Sequence, residues 1–121
     1  MAKILIVEDN EKNRRLLNLV LASKGHILFE AANGKEAVEK VREHNPDMVI
    51  MDIQLPEIDG LEATRILKQD KNTSGVKVLV LTAYAMKGDR ERILEAGSDA
   101  YLSKPANIED MLSMIDSLLI G

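Results

Sequence analysis

The chain of 121 residues has no cysteine and no tryptophan, and aromatic residues make up only 2% of it. Without cysteine there is neither a disulfide nor a thiolate metal site, so packing must stabilise the fold. Basic residues form no stripe and do not interleave with aromatics. With a formal net charge of -4 this argues against direct nucleic-acid binding. No apolar run approaches the roughly 20 residues of a membrane span, and Glu8 and Asp9 interrupt the N-terminal apolar stretch where a signal peptide would need it to continue. Repeats, low-complexity tracts and linkers are also missing. These absences predict a cytoplasmic protein without membrane insertion, folded as one domain over 1–121.

What is present is 45% hydrophobic and 30% charged, and it is strongly patterned. Short runs rich in Val, Ile and Leu recur at Lys3 to Val7, His26 to Ala32, Asp47 to Met51, Val76 to Thr82 and, more weakly, Asp99 to Ser103. They lack strict alternation, which suits strands of a sheet covered on both faces. Between them lie helical spacings. Leu16, Leu17, Val20 and Leu21 make a first apolar face, and Ala37, Val38 and Val41 a second. Leu61, Thr64 and Leu67 make a third, Ile93 and Leu94 a fourth, and Ile108, Met111, Leu112, Ile115 and Leu119 the last. Gly25 and Gly97 mark helix ends, Asn33 with Gly34 and Asp59 with Gly60 mark helix starts, and Asn45 with Pro46 closes the second helix. Alternating strands and helices with short connections predict an α/β fold, a parallel sheet with helices on both faces.

In such a sheet ligands sit beyond the carboxyl ends of the strands. Glu8 and Asp9 follow the first strand, Asp52 ends the third, Thr82 ends the fourth, and Lys104 with Pro105 follows the fifth. Carboxylates gathered on one rim repel each other unless a cation sits among them. Mg2+, which takes a few protein oxygens and keeps several waters, suits that rim better than Ca2+. A metal, the Lys104 ammonium and the Thr82 hydroxyl around Asp52 are the parts needed to clamp a transferring phosphoryl group. Asp52 is then the nucleophile of an aspartyl phosphate.

These motifs, in this order and over essentially the whole chain, resemble the receiver domain of two-component response regulators. The resemblance implies the flavodoxin-like strand order 2-1-3-4-5 for a five-stranded sheet. It further implies that Asp52 accepts a phosphoryl group from a histidine kinase or histidine phosphotransfer protein, with Glu8, Asp9, Asp52 and the backbone carbonyl of Gln54 around Mg2+. Thr82 and Lys104 would contact the phosphoryl oxygens, and a cis bond between Lys104 and Pro105 would aim the ammonium. Tyr101 matches the family's switch aromatic, coupled to Thr82, while Gln54 and Tyr84 would flank the water that limits the lifetime of the phosphate. Many members have two aspartates where this chain has Glu8 and Asp9; the longer Glu8 side chain should still hold a metal-bound water. Thr82 to Pro105 is similar to single-domain cell-cycle regulators of the DivK type and to receivers fused to hybrid histidine kinases. The signal would leave through a downstream protein target, and the domain would catalyse only its own phosphorylation and dephosphorylation.

Other readings compete. Taken singly, Asp52 also fits a strand terminator, Glu8 and Asp9 fit an N-terminal helix cap shared with Asn10, and Tyr101 fits an ordinary packed tyrosine. An aspartyl phosphatase of the haloacid dehalogenase type is the alternative enzyme. It needs a second Asp two residues after the nucleophile, where this chain has Gln54, and a cap segment. A passive binding module that has lost phosphorylation requires a missing site residue, and none is missing. Asp70 to Gly75 opens like an EF-hand loop, but Leu81 stands where the bidentate Glu is required. His26 and His44, far apart and without metal-ligand spacing, are expected at the surface.

Overall fold

The computed structural model describes residues 2–53, 59–82, 89–103 and 108–120. The elements alternate strictly: β1 (Lys3–Val7), α1 (Glu11–Ala22), β2 (Ile27–Ala31), α2 (Gly34–His44), β3 (Met48–Asp52), α3 (Gly60–Gln69), β4 (Lys77–Thr82), α4 (Asp89–Glu95), β5 (Ala100–Ser103) and α5 (Ile108–Ile120). The strands form one parallel sheet in the order β2-β1-β3-β4-β5, the order that the family resemblance implies.

Successive residues of each strand point to opposite faces, and the two faces bury separate cores. Leu5, Val7, Val49, Met51, Val78 and Val80 face α2, α3 and α4, packing with Val38, Val41, Leu67 and Ile93. Ile4, Ile6, Met48, Ile50, Leu79 and Leu81 face α1 and α5, packing with Leu21, Met111 and Ile115. The central strand β3 is buried at every residue, which explains why its sequence is a continuous apolar run. Edge strand β2, by contrast, is partly exposed from Ile27 to Glu30.

The helix punctuation works as the sequence predicts. Asn33 and Asp59 cap α2 and α3, accepting from the amides of Glu36 at 2.9 Å and Glu62 at 2.8 Å. Gly25 and Gly97 adopt positive φ of 86° and 100°, and Asn45 ends α2 in the left-handed region. Asp70 to Gly75 is a turn closed on itself. Its Asp70 carboxylate accepts from the Asn72 amide at 2.9 Å and its carbonyl from the Ser74 amide at 2.8 Å. Among the described residues no helix is long and apolar enough to cross a membrane.

Four expectations need correction. Ile108, expected on the apolar face of the last helix, is 46% exposed, and that face meets the core from Met111 onward. Leu16 does not join the buried face of α1: it is 55% exposed beside Leu19, because the stripe that meets the sheet runs through Leu17 and Leu21. Leu94 is 45% exposed, and Ile93 alone fills the core from that pair. The two histidines are half-buried. His26 Nδ1 accepts from the Ala2 amide, and the His44 ring stacks on Phe29 with centroids 4.2 Å apart.

Candidate functional site

Val7 of β1 pairs with Met51 of β3, so the residues that follow each leave the sheet side by side. Those residues are Glu8 and Asp52, both buried, and the exposed Asp9 joins them. One carboxylate oxygen from each of the three lies within 4.8 Å of the others. On the other side of β3, Asp52 pairs with Leu81, and the next residue of β4 is Thr82, which is 1% exposed. The sheet therefore gathers Glu8, Asp9, Asp52 and Thr82 at its carboxyl edge, as the sequence predicts. Lys104, Pro105, Gln54 and Tyr84 lie outside the described residues.

Asn10 is the cap of α1: its side chain accepts from the Asn13 amide at 3.0 Å. Helix capping thus does not account for Glu8 and Asp9, which precede the cap. An acidic pair held at the end of a sheet and next to a third carboxylate is a hard, all-oxygen donor set. It fits Mg2+, whose remaining positions water fills.

Several residues that the sequence did not single out support this rim. The Arg14 guanidinium donates from Nη1 to the Glu8 carbonyl oxygen at 2.9 Å and from Nε to Glu30 Oε1 at 2.8 Å. Asn18 donates to the other Glu30 oxygen at 3.0 Å, and the Glu8 amide donates to the Ala31 carbonyl at 3.1 Å. Asn13 Nδ2 donates to Glu8 Oε1 at 3.2 Å. Gly60, read from sequence only as a helix start, lies against the end of β3 and donates its amide to the Ile53 carbonyl at 2.9 Å. None of these carries a sequence signal, because each depends on how a helix returns to the sheet.

Tyr101 pairs across β4 and β5 with Val80, and it is half-buried against the core beneath α2, α3 and α4. Thr82 is two residues beyond Val80, on the same face of the sheet and opposite Ser103.

Comparison with known proteins agrees with this geometry. Residues 4–116 match the family model of the response regulator receiver domain. The chain is 45% identical over 116 residues to the polar-differentiation response regulator DivK of Brucella anthropi, covering 96% of this chain and 94% of that relative. It superposes on the receiver domain of the sensor histidine kinase PA1611 from Pseudomonas aeruginosa, crystallised with a magnesium ion coordinated in the active-site cleft. The TM-score is 0.91 at 34% identity, with 99% of this chain and 98% of that one covered. A receiver domain of a signal transduction histidine kinase from Syntrophus aciditrophicus gives a TM-score of 0.93 at 33% identity, covering 100% of this chain and 92% of that one. A doubly covered parallel sheet in this strand order, with an acidic rim at its carboxyl edge, makes this chain a member of the response regulator receiver domains, the phosphoacceptor signalling modules of two-component systems.

Proposed function

We propose that Asp52 is the phosphoacceptor of this receiver, taking its phosphoryl group from a phosphohistidine of a histidine kinase or histidine phosphotransfer protein. The observation that carries the reading is the Glu8, Asp9 and Asp52 cluster, with carboxylate oxygens within 4.8 Å, at the end of the central strand. An Asp52 carboxylate oxygen attacks phosphorus in line, the phosphorus–nitrogen bond breaks, and the imidazole leaves with the electron pair. Glu8 and Asp9 would hold Mg2+ together with Asp52 and, by family resemblance, the Gln54 carbonyl. When bound, that ion supplies positive charge to the oxygens of the transferring group. Thr82 donates its hydroxyl to one of those oxygens, and Lys104 contributes an ammonium.

Once Asp52 is modified, Thr82 is drawn toward the phosphate, and Tyr101 fills the vacated space, altering the surface of α4, β5 and α5. By family resemblance, Gln54 and Tyr84 would flank the approach of the water that hydrolyses the acyl phosphate, and the bulk of Tyr84 would restrict it. In this reading residues 1–121 act as one cytoplasmic receiver unit that signals through a downstream protein, with self-phosphorylation and self-dephosphorylation as its only chemistry.

Acetyl phosphate with Mg2+ tests the acceptor directly. Mass spectrometry should find the phosphoryl group on Asp52 and nowhere else, and chelation should stop labelling. Full labelling of an Asp52→Asn variant would remove Asp52 from this role.

A further inference from the structure

Glu8 is tied down in an uneven way. Its amide donates to the Ala31 carbonyl at 3.1 Å, and its carbonyl accepts from Arg14 Nη1 at 2.9 Å, so the main chain is fixed from two sides. Arg14 is in turn braced by Glu30, which also accepts from Asn18. The side chain is one methylene longer than that of an aspartate and so has one more torsion to order. Its carboxylate lies within 4.8 Å of two others of the same sign. Repulsion between them favours rotamers that turn Glu8 away, and those rotamers would disperse the donor set.

Against that tendency stands Asn13. Its amide nitrogen Nδ2 donates to Glu8 Oε1 at 3.2 Å, and its own backbone amide is held by Asn10 Oδ1 at 3.0 Å, so the donor projects from a fixed point in the first turns of α1. The residue type matters. A lysine or arginine at this place would hold the carboxylate by cancelling the charge that attracts a cation, whereas a neutral amide fixes its direction and leaves the charge intact.

We infer that Asn13 is a positioning residue: through its hydrogen bond to Glu8 Oε1 it orients the Glu8 carboxylate toward Asp9 and Asp52 and thereby sets the affinity of the acidic cluster for a divalent cation. This role rests on the reading of the cluster as a Mg2+ site. Partners that orient a metal-binding group from outside its coordination shell are commonly worth about tenfold or more in metal affinity.

A double-mutant cycle read by calorimetric Mg2+ titration tests it, with the melting temperature of each metal-free protein measured alongside. Asn13→Ala keeps the backbone amide that Asn10 accepts and improves helix propensity, so it folds. It should weaken Mg2+ binding about tenfold while leaving the metal-free melting temperature unchanged. In a Glu8→Asp background the shorter carboxylate no longer reaches the amide, and the same substitution should change the dissociation constant less than about twofold. An unchanged constant for Asn13→Ala alone, or an equal loss in both backgrounds, overturns the positioning role while leaving the metal site standing. A wild-type protein that takes up no Mg2+ removes the metal site itself, and the role of Asn13 with it.

Discussion

Gly60 lies so close to the main chain at Asp52 that a β-carbon added to it would overlap the Asp52 carbonyl oxygen and stand 2.8 Å from Ile53 Cα. Both obstacles are backbone, which cannot swing aside as a side chain does. The first residue of α3 is therefore glycine because the helix starts directly against the strand end that carries Asp52.

Gly60→Ala should cost about 3 kcal/mol of stability by overpacking. Because relief of the overlap must push the end of β3, phosphorylation by acetyl phosphate should fall as well, even at a temperature where the variant is folded. Urea unfolding followed by labelling under native conditions reads both effects, and a variant with wild-type stability would show that the contact is relaxed without cost.

Thr82 and Tyr101 lie on one face of the sheet as diagonal neighbours on adjacent strands: Tyr101 is opposite Val80, and Thr82, two residues further on, is opposite Ser103. In the proposed switch, a shift of Thr82 toward phosphate would open space on the face that Tyr101 already lines. Such a switch is a population shift between two packings and requires that phosphate favour one by a few kcal/mol. Partner binding should strengthen with the beryllofluoride adduct of Asp52 and lose that preference in Thr82→Ala. Equal calorimetric affinity for modified and unmodified wild-type protein would discard the switch.

The acidic rim should also cost stability. With three carboxylates within 4.8 Å, Asp9→Asn should raise the metal-free melting temperature by about 4 °C through relief of repulsion. The same substitution should diminish the upward shift that Mg2+ gives the wild type by binding only the folded state. A melting temperature that falls in the metal-free variant would count against mutual repulsion as the governing effect.

At the opposite end of β4 a different ion pair serves the fold alone. Lys68 Nζ donates to the Val76 carbonyl at 2.6 Å and pairs with Asp99 Oδ2 at 2.9 Å, and that oxygen also accepts from the Val78 amide at 2.8 Å. Lys68→Ala should cost about 2 kcal/mol, the usual value of hydrogen bonds to a charged group. It should leave labelling of Asp52 unchanged, since Lys68 braces the start of β4 and Thr82 sits at its far end, about 17 Å along the strand.

The strands, their alternation with helices and the acidic rim were legible in the sequence because each has a local signature: an unbroken apolar run, a cap residue, a carboxylate just beyond a strand. The strand order came from family resemblance, since no local pattern says which strands are neighbours. Leu16 falls outside the buried stripe because the five apolar residues among 16–21 overfill what one helix face can bury, and only packing selects Leu17 and Leu21. The half-burial of His44 escaped notice because its partner, Phe29, comes from a different element. Asn13, Arg14 and Gly60 were invisible as site residues for a similar reason: they act on Glu8 and Asp52 through contacts that exist only when α1 and α3 return to the sheet.

The position of Tyr101 has an optical consequence. The chain has no tryptophan and only two tyrosines, so ultraviolet emission excited at wavelengths beyond phenylalanine absorption arises from Tyr84 and Tyr101 alone. Replacing Tyr84 by phenylalanine would leave a single emitter under such excitation, half-buried against the core and on the same sheet face as Thr82. Changes in its quantum yield or anisotropy would then follow events at the Asp52 rim in real time, without any attached dye.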